Sequence, residues 1–139
     1  MTTSLTRFTE AQSNSYADAL QEIKAGRKRT HWMWFIFPQF AGLGQSSTSK
    51  HYAIKSLSEA TEYLKHPELG ARLIEISNAL LHSNSKNAGE IFGYPDDMKL
   101  HSSMTLFAQV EGAPQVFQKV LDKYFGGEPD ELTLQLFRQ

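Results

Sequence analysis

The chain has 139 residues, enough for one ordinary domain with a sizeable core. Its apolar content of 40% and charged content of 21% are those of a globular protein, and a net charge of −1 gives no global field toward nucleic acid or anionic membrane. It contains no cysteine, so disulfides, thiolate zinc sites and cysteine nucleophiles are excluded.

The opening stretch MTTSLTRFTE has no apolar signal core. The longest apolar run, Trp32 to Phe37, is too short to span a bilayer. The simplest expectation is a soluble cytoplasmic protein. No repeat or Pro/Gly-rich linker divides the sequence, so residues 1–139 read as a single domain.

Helical spacing runs along most of the chain. Tyr16, Ala19, Leu20 and Ile23 fall at i, i+3, i+4 and i+7, and Gly26 is a fitting stop. The run HWMWFIFPQF follows the basic cluster Arg27, Lys28, Arg29. By propensity it suits a buried strand, and it suits a buried helix equally, with Thr30 as cap and Pro38 as terminator. No second strand-like run exists to pair with it, and a lone strand leaves backbone groups unpaired. The expectation is therefore a central helix, apolar nearly all round.

Next, AGLGQSSTSKHY reads as small and hydroxylated residues before a helix holding Lys50, Tyr52 and Ile54. Ser56 and Glu59 read as a capping box for a helix ending near His66-Pro67. Pro67 suits the first turn of another helix, lined by Leu69, Leu73, Ile76 and Leu80. Ser85 or Asn87 caps a short turn through Ile91 and Phe92, closed by Gly93. Pro95-Asp96-Asp97 starts a helix with its acids at the positive end of the dipole and Leu100, Met104 and Phe107 as its apolar stripe. Pro114 opens a helix carrying Val116, Phe117, Val120, Leu121 and Tyr124, stopped by Gly126-Gly127. Asp130 caps the last, with Leu132, Leu136 and Phe137 apolar. The fold class is all-α, with about six to eight helices around the buried aromatic one.

Three polar stretches can carry chemistry. In GRKRTHWMWFIFPQ, buried indole N–H groups need partners, and Lys28 and Arg29 stand beside the aromatics. A stacking wall with a cationic rim suits a nucleotide or another planar anion. The alternative is aromatics in the core and charges in solvent. In AGLGQSSTSKHY a helix N-terminus offers N–H groups to an anion, but Gly-Lys-Ser/Thr is missing and no strand precedes it, so it is no P-loop. The alternative is a surface loop with an ordinary cap. In GYPDDMKLHSSMTLF, Asp97, His101 and Thr105 share one helical stripe, and Lys99 and Ser103 form an i, i+4 pair. An aspartate at that spacing can orient the histidine ring. The alternative is a set of helix-surface pairs worth about 0.2–0.5 kcal/mol each. Ser102 and Ser103 in an apolar helix permit close helix approach or point into a polar cavity. The five histidines show no compact ligand spacing, so neither a metal nor another cofactor is expected.

The motifs RFTEAQ, AGRKRTHWMWFIFPQ, HYAI, YLKHPELGARL, PDDMKLHSSMTLFA and FGGEPDELTL run in order over almost the whole chain. In them the sequence resembles the domain of unknown function numbered 1810, whose bacterial members often carry the label calpastatin. The resemblance implies an all-helical, multihelical fold and no particular reaction. The label implies a calpain inhibitor, a disordered, polar and repetitive kind of chain, whereas this one is aromatic and unrepeated.

Three functional readings follow. The first is a pocket protein or enzyme for a small anionic, nucleotide-like ligand. Its catalytic candidates are His31, Asp97, His101 and Ser102; its ligand-binding candidates are Lys28, Arg29, Trp32, Trp34, Gln39, Lys99 and Ser103. The second is a non-catalytic helical adaptor docking through Phe40, Tyr94 or Phe137, with the oligomeric state left open. The third and weakest is nucleic-acid binding through Arg27 to Arg29, because the net charge is near neutral and the basic run stands alone. The first reading requires the first and third stretches to meet around one hollow.

Overall fold

The computed structural model describes residues 5–138, so the first four residues of the opening stretch lie outside the described residues. Ten α-helices fall among them: α1 Thr6–Ser13, α2 Tyr16–Lys24, α3 Met33–Ile36, α4 Ser47–His51, α5 Leu57–Lys65, α6 Leu69–Leu81, α7 Ala88–Phe92, α8 Asp96–Ala108, α9 Val116–Phe125 and α10 Glu131–Phe137. The all-helical expectation holds, with more and shorter elements than the sequence spacing suggests. None of these helices is long and apolar enough to cross a membrane.

Helix boundaries follow side-chain chemistry. Ser46, Ser56, Asn87 and Asp130 each accept a backbone N–H at the start of α4, α5, α7 and α10. The capping box of α5 is displaced by one residue. Ser56 Oγ accepts from Glu59 N–H, but the Glu59 carboxylate reaches past the cap to Lys55 N–H, at 2.8 Å. At the His66-Pro67 junction, His66 Nδ1 accepts from Glu68 and Leu69 N–H and so caps the incoming α6. Helices α5 and α6 then approach so closely that a Cβ on Gly70 would stand 2.0 Å from the Leu64 carbonyl oxygen, which only glycine avoids.

The core is one continuous cluster. Helix α8 packs on α9, α9 on α6, and α6 on α2 and α5. Through it runs a chain of ring contacts from Phe8 to Tyr63, Phe107 and Phe117, with centroids 5.1–5.9 Å apart. Gln12, buried among these rings, donates to the Phe35 carbonyl and to Tyr63 Oη. Its polar end is thereby satisfied where an unpaired amide would cost about 1–3 kcal/mol.

Two expectations are corrected. The run HWMWFIFPQF forms only one helical turn, Met33–Ile36, without a Thr30 cap; Trp32 occupies the cap position. After Pro38 the chain is extended and forms a single parallel bridge between Phe40 and Ile54. Ala41 N–H donates to Ile54 O and Ile54 N–H to Gln39 O, so HYAI supplies the backbone partner that sequence reasoning found missing. In α10, Leu132 is exposed and Thr133 is buried, because the Asp130 cap takes both the Thr133 N–H and its hydroxyl and turns that side inward.

Candidate functional site

The two tryptophans of the aromatic run face different surroundings. Trp32 is 1% exposed. Its indole N–H donates to Glu22, 2.9 Å away on α2. The same carboxylate accepts from Arg29 N–H, Thr30 N–H and Thr30 Oγ1–H at 2.6–3.0 Å. Burial works against the Glu22 charge, but the hydrogen bonds from Arg29, Thr30 and Trp32 outweigh it and bring its pKa down to about 2. Trp32 is therefore a packing residue whose polar edge is saturated.

Trp34 is only partly buried, and its indole N–H has no acceptor among the described residues. Lys28 and Lys99 stand over the two indoles, Lys28 Nζ 5.1 Å from the Trp32 ring centre and Lys99 Nζ 5.1 Å from that of Trp34. Asp96 joins the two cations, with Oδ2 2.9 Å from Lys28 Nζ and Oδ1 3.4 Å from Lys99 Nζ. The first and third polar stretches thus meet, at Asp96. They meet as an ion-paired contact, and the cavity described next takes no residue from the third stretch: Lys28 is 8% exposed at its side chain and also donates to Thr30 O.

A cavity of about 110 Å³ lies on the other side of this junction, between residues 34–44 and residues 49–55. Trp34, Phe40 and Tyr52 give it aromatic walls, and Gln39, Ser49, Lys50 and Lys55 give it polar groups. No carboxylate and no histidine are among its lining residues. The Gln39 carboxamide and the Lys50 and Lys55 ammonium groups have no partner among the described residues, and both lysines are exposed.

The walls are fixed from outside. Across the cavity the Phe40–Ile54 bridge joins the two segments. Arg7 donates to the carbonyls of His51 and Ala53 and pairs with the buried Glu59 at 3.3 Å, while Glu59 holds Lys55 N–H. Phe40 packs edge-on against Phe137 of α10, centroids 4.7 Å apart. At Gly44 a Cβ would lie 2.4 Å from Ser49 Cβ, so the loop closes on α4 only with glycine there.

Of the sequence-predicted site residues, Trp34 and Gln39 line this cavity and Lys99 stands over the Trp34 ring. Lys28 lines a separate, open depression with Arg27 and residues 89–93. Arg29 gives its backbone N–H to Glu22 while its side chain is exposed, as is His31. The basic run is divided, with Lys28 turned inward. The Asp97–His101 pairing does not form. Asp97 accepts from Met98 N–H, whereas the His101 ring stacks on Phe125 and its Nε2–H donates to Glu128 O, 2.7 Å away. Ser102 Oγ lies 3.2 Å from both Met98 O and Asp130 Oδ2, tying α8 to the cap of α10. Ser103 is fully buried with its hydroxyl unpartnered, a small side chain in the tight α8 packing. Of the adaptor candidates, Phe40 and Phe137 cover each other, and Tyr94 is exposed.

Sequence reasoning missed Glu22, Asp96 and Lys55, and it read Lys50 and Tyr52 only as parts of a second, separate stretch. A buried indole with an acid on the preceding helix is a usable signal for Glu22; Lys55 carries none. Among the described residues, no three histidine or acidic side chains stand together as a metal site.

Comparison with known proteins gives the fold without a reaction. The chain is similar to the crystal structure of the conserved hypothetical protein Rv1873 from Mycobacterium tuberculosis. The two are 48% identical, with a TM-score of 0.94 over 97% of this chain and 96% of that one. No curated protein matches. The model of the protein family of unknown function DUF1810 matches residues 2–137, and the chain belongs to that family.

Proposed function

We propose that this chain binds a small anionic, nucleotide-like ligand at the Trp34 cavity. One observation carries the reading: two lysines, a glutamine and a tryptophan whose side-chain polar groups have no hydrogen-bond or ion-pair partner among the described residues all line one acid-free, aromatic-walled hollow. Lysine ammonium groups neutralise a phosphate or carboxylate, and the indole offers a face or an N–H edge to a planar group. The lining holds no carboxylate and no histidine, so the geometry supports binding rather than proton-transfer chemistry. The catalytic roles considered for His31, Asp97, His101 and Ser102 have no support from this cavity, which none of them lines.

The experiment is a thermal-shift titration with mononucleotides on the wild-type chain and on the Lys50→Ala, Lys55→Ala double variant. The reading expects a saturable rise in melting temperature that the double variant loses. No rise with any anionic ligand would remove it. An interaction role is favoured by one further observation: Tyr94 and Met98, four residues apart at the start of α8, are 81% and 56% exposed. Sedimentation at rising concentration tests self-association there, and a monomer throughout would exclude it.

A further inference from the structure

Resting on that reading of the Trp34 cavity, we infer the class of ligand it takes: a single six-membered heteroaromatic ring carrying an anionic tail. The second ring of a fused bicycle such as a purine is left outside the cavity, unenclosed. A closed apolar cavity of about 150 Å³ takes one benzene ring. The Trp34 cavity offers about 110 Å³ and opens to solvent, so one ring enters with an edge outside. Ligand sites that enclose a whole drug-sized molecule run from about 300 to 1,000 Å³.

A small cavity selects by size only if its walls cannot retreat. Here the Gly44 backbone already touches Ser49 so closely that a Cβ would overlap it. The Phe40–Ile54 bridge pins one side, and Arg7 holds the His51 and Ala53 carbonyls from behind. Lys99 sits over the Trp34 ring without being a lining residue and is itself held by Asp96, so the indole is braced from outside the cavity.

The Gln39 carboxamide presents a donor and an acceptor, and the Trp34 N–H a second donor, none engaged within the described protein. Such groups match the carbonyl and N–H edges of a heteroaromatic ring, and a plain hydrocarbon ring would leave them unpaired at a cost. Lys50 and Lys55 provide two ammonium groups for a phosphate or carboxylate tail.

The test is calorimetric titration of the full chain with UMP, AMP, uridine and inorganic phosphate, repeated on Ala41→Val, which adds bulk to a lining residue and leaves both lysines in place. UMP is expected to bind at least tenfold more tightly than each of the other three, and Ala41→Val to lose at least tenfold toward UMP. AMP binding as tightly as UMP would overturn the single-ring selection while leaving the site standing. Phosphate equalling UMP would overturn it too, reducing the site to two rim cations. No binding of any of the four would remove both this inference and the site. Should Ala41→Val fail to fold, Gln39→Ala replaces it, with UMP expected to weaken more than phosphate; equal weakening would overturn the edge recognition.

Discussion

Trp32 and Trp34 are separated by one residue, and their surroundings invert each other. Trp32 is enclosed, its N–H is taken by a carboxylate, and the cation above it is itself buried and paired. Trp34 is half-covered, and its ring borders a hollow lined by two lysines; among the described residues neither its N–H nor these cations have a hydrogen-bond or ion-pair partner. The difference comes from where each one's acid lies. Glu22 on α2 reaches the Arg29–Trp32 loop and takes up its N–H donors, while Glu59 on α5 is turned away from the cavity into Arg7 and the Lys55 backbone. One carboxylate completes a core residue; the other builds a wall and leaves the lysine side chains unopposed.

Mutations can break this contrast, beginning with the largest effect. Trp32→Ala is expected to cost about 3–5 kcal/mol in urea denaturation, the usual range for deleting a buried aromatic, whereas Trp34→Ala should cost no more than about 1 kcal/mol. Equal losses would erase the distinction. Next, Arg7→Met strands the carboxylate of Glu59, which is 1% exposed at its side chain. A loss of about 3 kcal/mol follows, together with faster amide exchange over residues 51–55. Unchanged exchange there would show that Arg7 does not hold the wall.

Glu22→Gln removes the charge from four hydrogen bonds and is expected to cost about 2 kcal/mol at neutral pH. The sign of its pH dependence is fixed by the lowered pKa. The unfolded chain takes up the proton near the ordinary value of 4.5, the folded one only near 2. Stability supplied by Glu22 is therefore full above about 4.5 and lost as pH falls toward 2. The stability gap between wild type and Glu22→Gln, followed by melting at stepped pH, should close across that window; a constant gap would contradict the charge-based account. The smallest effect is that of Lys99→Met. It should cost about 0.5–1 kcal/mol at most and alter the Trp34 fluorescence, with Trp32 emission unmoved.

The long helices were legible because each carries its own signals. Leu69, Leu73, Ile76 and Leu80 repeat on one face, all buried, and Gly26, Gly93 and Gly126 end helices where their positive φ values permit the turn. The aromatic run was less legible. Its packing partners lie on α7 and in the HYAI segment, and the bridge that ends it uses backbone atoms without any sequence period. At the start of α8 the two aspartates differ by about 100° around the helix axis, so which one meets Lys28 depends on the angle at which the helix enters. The structure selects Asp96. The cavity was legible only in halves, as two separate polar stretches, because closing it depends on Arg7, which is remote from both in sequence.

The most direct test of the central claim uses the two indole N–H signals in a ¹H–¹⁵N spectrum, one per tryptophan. During titration with UMP, the account predicts that the fast-exchanging Trp34 signal shifts saturably while the protected Trp32 signal stays in place. Two signals with equal exchange rates, neither of them moved by the nucleotide, would contradict it.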